Sequence, residues 1–269
     1  MRLQTNYVLG WQDDLMRSYL NSHWSFIRDQ STGDLVGSIV TETGRLGGAY
    51  YQSVLLITVG IHLIIYLTIG FLLSPAICLI VLAGGITLFL IARPLLRRAS
   101  VFGSRITKAT LNLQTVLSDQ FAAAKVIKAF NSGDAFHKYF HTEAKALRDA
   151  TAANAFDMQI AKAINDFGSA LLVVTVLLAG YIVIGVSAAS MLVVLAIFIR
   201  IIPKLSAAQQ CLQTISQVLP AYRLVRQMHD QGNEKAEKGG EHKLDTEGPL
   251  AIQFRDLTVA YESEPVLKG

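Results

Sequence analysis

LGGAYYQSVLLITVGIHLIIYLTIGFLLSPAICLIVLAGGITLFLIA, residues 46–92, contains no Asp, Glu, Lys or Arg. A helix needs about 20 apolar residues to cross the hydrocarbon core of a bilayer. The stretch therefore fits two crossings, span A at 51–73 and span B at 76–92. Ser74-Pro75 divides them, because proline cannot continue a helix and restricts the residue before it. A second charge-free stretch lies between Asp166 and Arg200. It fits two shorter crossings, span C at 167–184 and span D from 188 onward, with Gly185-Val186-Ser187 as the turn. Span D is expected to run as a helix past Arg200 toward Met228, kinked at Pro203.

Composition agrees. Hydrophobic residues make up 52% of the 269 residues, charged residues only 16%, and the mean hydropathy is +0.40. Soluble domains carry about 25% charged residues. The formal charge of +4 does not indicate nucleic-acid binding, since no motif for base or phosphate-backbone readout accompanies it. Cys78 and Cys211 sit in or beside apolar stretches and read as two buried thiols. Residues 1–11 lack the basic start, apolar core and cleavage site of a signal peptide.

Around the spans, residues 1–48 are amphipathic, with Leu15, Met16, Tyr19 and Leu20 at helical spacing. Ser31-Thr32-Gly33-Asp34 carries helix-start chemistry, a hydroxyl to cap free amides and an acid for the first turn. The excursion at 93–166 is rich in Ala, Leu, Lys and Gln, which are good helix formers. Two stiff helical arms are expected, 93–129 and 142–166, joined near 131–140. Between 93 and 162 the chain has eleven Lys or Arg residues, while the turns at 74–75 and 185–187 have none. The positive-inside rule then places the excursion, and with four crossings both chain ends, in the cytoplasm. Arg97-Arg98 reads as an inner-face anchor. Residues 230–249, DQGNEKAEKGGEHKLDTEGP, are charged and Gly-containing and read as a linker. After it Leu250, Ile252, Phe254, Leu257 and Val259 alternate with polar residues at a strand period.

Four stretches, in this order and spacing, resemble the exporter-type ABC transporters. WSFIRDQSTGDLVGSIVTETGRL (24–46) is similar to the family's first intracellular loop, and LSDQFAAAKVIKAFNSGDAFHKYF (117–140) to its second. Residues 220–226 resemble the end of its sixth helix, and IQFRDLTVAYESEPVLKG (252–269) the opening strands of its ATP-binding domain. Ser38, Glu42, Asp119, Gly133 and Ala135 depart from the family's usual residues. The resemblance implies an all-α polytopic membrane protein. It has four transmembrane helices, the family's third to sixth, with long cytoplasmic extensions, plus the first β-strands of a nucleotide-binding domain. The domain divisions expected are a transmembrane domain at 1–229, the linker at 230–249 and the ATP-binding start at 250–269. The family's first helix, most of its second, and the phosphate loop lie outside this sequence, which contains no GxxxxGK[ST].

The resemblance further implies an ATP-driven exporter moving a lipid, peptide or amphipathic small molecule by alternating access. It would act with a second transmembrane half, in a homo- or heterodimer, and with nucleotide-binding domains that use ATP and Mg²⁺. This fragment alone would bind no nucleotide and catalyse nothing. The expected location is a bacterial inner membrane, among its lipids. Tyr261 matches the residue that stacks on adenine. Thr32, Gly33, Asp34 and Leu35, with Ser132, Asp134, Phe136 and Tyr139, match the coupling helices; they fall within the stretches 32–38 and 132–139. His62 and Arg200 are candidates for the substrate path, a polar group in a span usually facing the bundle or a cavity; Arg200 and Lys204 equally fit snorkelling to the interface. His137 and His141 are four apart without a third ligand, and no metal site is expected. The alternatives are a secondary transporter or channel, which would place functional charges inside the spans, and an inactive truncated membrane protein.

Overall fold

The computed structural model describes residues 2–73, 75–182, 188–237, 239, 259–261 and 264–267. They fall into two units, Met1–Ala236 and Glu237–Gly269.

The first unit is helical. It runs α1 (Arg2–Leu20), α2 (Trp24–Arg28), α3 (Thr32–Val36), a π-helical turn (Gly37–Glu42), α4 (Thr43–Leu73), α5 (Pro75–Ala122), α6 (Ala124–Ala129), α7 (Gly133–Ile182) and α8 (Ala188–Glu234). Local chemistry explains the starts. The Ser31 hydroxyl accepts the Asp34 N–H at 3.0 Å and caps α3. Pro75 takes the first position of α5, where a missing N–H leaves no partner wanting. Asn131 adopts φ 49°, the left-handed turn that separates α6 from α7. Asparagine enters that region more readily than most residues.

Three helices are far longer than a membrane is thick. α5, α7 and α8 contain 48, 50 and 47 residues, each about 70 Å or more at 1.5 Å per residue. The hydrocarbon core is only about 30 Å thick, so each must project into water. Among the described residues, Thr32–Leu72 and Gly133–Leu178 are long and apolar enough to cross a membrane. Spans B and D lie within α5 and α8. α4 shows a row of outward apolar side chains, including Ile57, Ile61, Ile64 and Ile65. That suits contact with lipid or another apolar helix.

The long helices pack on one another, α5 on α7 and α8, and α4 on α8. The buried core lies where α1 crosses α4 and α8, around Leu15, Tyr19, Phe26, Leu46, Val218 and Val225. The Tyr19 hydroxyl lies 3.1 Å from Ser38 Oγ, and Tyr7 stacks on Tyr50 at 4.9 Å. The His23 N–H donates to Lys235 O at 2.7 Å, tying the end of α8 to the loop after α1.

Several expectations need amending. The expected opening strands of a nucleotide-binding domain are not found among the described residues. The described residues are helical almost throughout. The extended structure beyond α8 is a hairpin of Val259–Tyr261 against Glu264–Leu267, with its register slipped between Val259 and Ala260. Among the described residues these two short strands pair only with each other, and an isolated hairpin is marginal at best in water. The alternating residues 250–258 lie outside the described residues. The first arm is also not uninterrupted. Pro94 lies inside α5, and the helix breaks at Ala123 before α6. Pro203 and Pro220 both lie inside α8. That helix runs on to Glu234, into the segment expected to be linker. The expected turn at 185–187 lies outside the described residues.

Candidate functional site

A polar seam fastens residues 31–45 to α5. It starts where Gly33 meets Thr115: a Cβ on Gly33 would lie 2.3 Å from the Thr115 Cα, so two backbones touch with no room for a side chain. Around that contact Ser31 Oγ lies 3.0 Å from Thr115 Oγ1, which donates to Asp34 Oδ1 at 3.4 Å. From the preceding residue of α5, Gln114 Nε2 donates to Thr41 Oγ1 at 2.6 Å. Two turns before that, Thr107 Oγ1 donates to Glu42 Oε2 at 3.1 Å. Arg45 Nη1 reaches both Glu42 Oε2, at 2.7 Å, and Thr107 Oγ1, at 2.5 Å.

Glu42 is fully buried and its partner Arg45 is 19% exposed. Burial pushes the Glu42 carboxyl above its ordinary pKa, and Arg45 and Thr107 only partly offset this. Glu42 Oε1 and Arg45 Nη2 are buried without hydrogen-bond partners. The π-helical turn sits between the two halves of this seam. Such turns are common at functional sites, because the extra residue re-aims side chains that an α-helix would space differently. The arrangement has no nucleophile or metal ligand set. Among the described residues no group of three His, Cys, Asp or Glu could hold a metal ion. What it can do is mechanical: it makes the ends of α4 and α5 move together.

The candidate coupling residues divide between two places. Gly33, Asp34 and Leu35 are buried or half-buried within the seam, and Thr32 is exposed. Thr32–Val36 does not stand alone as a short helix, because it runs through the π-helical turn into α4. Ser132 caps the start of α7, where its carbonyl accepts the Phe136 N–H. The Phe136 carbonyl in turn accepts from Gln120 Nε2 at 3.0 Å. Asp134 and Tyr139 are exposed, Tyr139 at 56%. The two places share one end of the molecule. α3 touches α5 at Thr115, about 10 Å before α5 ends at Ala122.

Two features escaped the sequence. One is α2, a separate five-residue helix whose Phe26 is buried while Trp24 stands 61% exposed. The apolar pair two apart beside a charged Arg28-Asp29 was its only signal. The other is the Glu42–Arg45–Thr107 cluster. Its signal was an acid and a base three apart at the edge of the charge-free stretch.

His62 lies on α4, with its ring 6.4 Å from that of Tyr66. Its Nδ1 is buried without a partner. Arg200 is exposed and Lys204 half-buried on α8. They do not join the seam or one another. Cys211 is buried and Cys78 half-buried, both as free thiols. Tyr261 ends the first strand of the second unit.

The family model of the ABC transporter transmembrane region matches residues 6–202. No curated protein matches the chain. Among solved structures, one titled as a bacterial Atm1-family ABC exporter with ATP bound superposes with a TM-score of 0.78 at 14% identity, over 100% of this chain and 48% of the other. The chain thus spans about half the length of that relative.

Proposed function

The chain belongs to the ABC transporter transmembrane region family, and we propose on that premise that it is the membrane portion of an ATP-driven exporter. It is an integral membrane protein. In the proposed assembly it pairs with a second transmembrane half and with nucleotide-binding domains that supply ATP and Mg²⁺ chemistry. Its arms and both chain ends face the cytoplasm of a bacterial cell, and its cargo is a lipid, peptide or amphipathic small molecule. The likeness to an ATP-bound exporter at 14% identity supports the fold; the direction of transport is our inference from it.

The seam between residues 31–45 and α5 carries the proposal. A motor that closes in the cytoplasm can shift a span only if the connecting helix ends do not slide past one another. Backbone contact at Gly33 and five side-chain hydrogen bonds over two to three turns resist sliding. The output is a choice between two global states, biased by whichever state the closed motor fits better. The stretch at Ser132–Tyr139 is the proposed docking point, with Phe136 and Tyr139 as the aromatic anchors that dominate interface energies.

The test is coupling. In proteoliposomes containing the chain with its nucleotide-binding domains, Tyr139→Ala should reduce vanadate-sensitive, cargo-stimulated ATP hydrolysis by about tenfold, the weight of one anchor residue. Its thermal midpoint should hardly change, because Tyr139 is exposed. Full stimulation in both Tyr139→Ala and Phe136→Ala would refute the docking point.

A further inference from the structure

Where α5 and α8 run on past their backbone contact at Gly103 and Gln217, an open cleft of about 660 Å³ lies between them. Each helix gives it one face. On α5, Ser100, Ser104 and Lys108 follow one another at four-residue steps, and Val101, Arg105 and Asn112 run beside them. On α8, Pro220, Arg223, Leu224 and Gln227 sit three and four apart. The walls are pinned at two places. α5 meets the α8 backbone at Gly103 and the α3 backbone at Thr115, twelve residues on, or about 18 Å.

Charge in this cleft is unbalanced. Arg105, Lys108 and Arg223 bring three positive charges, and the one carboxylate in the lining is Asp34. Asp34 Oδ1 already accepts from Thr115 Oγ1, and the Thr107 hydroxyl is engaged by Glu42 and Arg45. Glu143 of α7 reaches Asn112 at 3.5 Å but does not line the cleft. None of the three cations has an ion-pair partner among the described residues. Arg226, three residues past Arg223 and outside the lining, is by contrast paired with Asp230 at 3.6 Å. Like charges three apart on one helix face repel, and Arg223 adds a third charge from the facing helix. An anion among them turns that repulsion into attraction. All three cations are exposed, so a ligand arriving from water can reach them.

We propose that this cleft binds an organic phosphate. The phosphate is held between Arg105, Lys108 and Arg223, and its carbon substituent lies against Val101, Leu111 and Leu224. Three cations less Asp34 leave a charge of +2 in the lining, and a phosphate monoester carries about −1.5 to −2 near neutral pH. Its three terminal oxygens accept from guanidinium forks on two helices at once; a carboxylate offers one charge and two oxygens. Span B ends at residue 92, so Ser100 to Asn112 stand about 12–30 Å further along α5. The headgroup layer is only about 5–8 Å deep on each face. The cleft therefore opens to water, and a soluble phosphate is its source. The site adds a ligand to the exporter reading and rests on that reading only for the side of the membrane it faces.

The probe is radiolabelled phenyl phosphate, measured by equilibrium binding to the chain in phosphatidylcholine nanodiscs at low salt. Benzoate is the carboxylate comparison. Phenyl phosphate should bind saturably and about tenfold tighter than benzoate, the weight of one further charge-assisted hydrogen bond. Arg105→Gln and Arg223→Gln should each weaken it by about tenfold. Arg226→Gln removes the same charge outside the cleft and should change binding by less than about twofold. Thermal midpoints without ligand should match wild type in all three variants, because the residues are exposed. Equal losses in Arg223→Gln and Arg226→Gln would mean diffuse surface charge and overturn the proposal. Absence of saturable binding, or benzoate binding as tightly, would overturn it as well. Nanodiscs with phosphatidic acid, set against phosphatidylglycerol at matched surface charge, separate the two sources. Unchanged phenyl phosphate binding supports a soluble ligand; competition by phosphatidic acid would overturn that source and assign the site to a lipid headgroup. Arms mapped outside the cell would sink the exporter reading and leave the phosphate binding standing. Arms mapped inside with no binding would do the reverse.

Discussion

Gly103→Val is expected to unfasten α5 from α8. A Cβ at Gly103 would stand 1.9 Å from the carbonyl oxygen of Gln217 and 2.8 Å from its carbon. Both atoms belong to the backbone, so no side chain can swing away to make room. Membrane helices depend on such close approach, because lipid gives apolar side chains little reason to prefer a neighbouring helix. One of the two helices would have to move bodily, breaking contacts above and below. Overpacking of a close contact costs about 1–3 kcal/mol and sometimes more, and here the larger figure is expected. Gly133→Val is the control, since a Cβ there meets nothing within 4 Å. Thermal unfolding in nanodiscs should show a large drop in midpoint for Gly103→Val and little change for Gly133→Val. Equal midpoints would show that α5 and α8 do not meet as described.

Glu42→Ala should rank beside it. The carboxylate is fully buried, and its removal leaves the Arg45 guanidinium, only 19% exposed, without its counter-charge. Breaking one side of a buried pair costs about 3–5 kcal/mol, chiefly because the other charge stays buried. Glu42→Gln removes the same counter-charge but keeps an acceptor for Arg45 and Thr107, so it should destabilise less than Glu42→Ala while still destabilising. The two variants also separate charge from shape. Burial raises the folded-state pKa of Glu42 above its ordinary value of 4.5. In the window from that value up to the raised one, the folded chain holds a proton that the unfolded chain has released. Stability should therefore fall as pH rises through this window. Glu42→Gln, which cannot titrate, should lose this component of the pH profile. A Gln variant with the wild-type pH profile would show that Glu42 is solvated.

The residues that could be read in sequence are those whose chemistry is local. A charge-free stretch of 47 residues divided by Ser74-Pro75 announces two spans, because lipid tolerates few charges. Ser31 announces the start of α3 because its cap needs only the residue three positions on. The seam was not legible in this way. Thr107 and Gln114 look like the polar face of a solvated helix until α3 and α4 are laid against it. Arg105 and Arg223 are equally ordinary alone; they share a cleft only once α5 and α8 are packed together. The strand pattern misled for the opposite reason. Alternation specifies faces, but a sheet exists only where something covers one of them, and the described strands Val259–Tyr261 and Glu264–Leu267 pair only with each other. Pro94 and Pro203 show that a helix in this family's membrane region continues through proline. In a membrane helix the carbonyls freed by proline can be met by neighbouring helices, hydroxyl side chains or water.

The central claim is that the α5–α6–α7 arms reach into the cytoplasm, where a nucleotide-binding domain can push on them. The direct measurement is side-specific labelling of Ala129→Cys, an exposed position at the end of α6, in a background with Cys78 and Cys211 replaced. Intact cells should exclude a membrane-impermeant maleimide from this thiol, and inside-out vesicles should label it fully. Labelling in intact cells would place the arms outside, beyond the reach of any cytoplasmic ATPase, and would contradict the account.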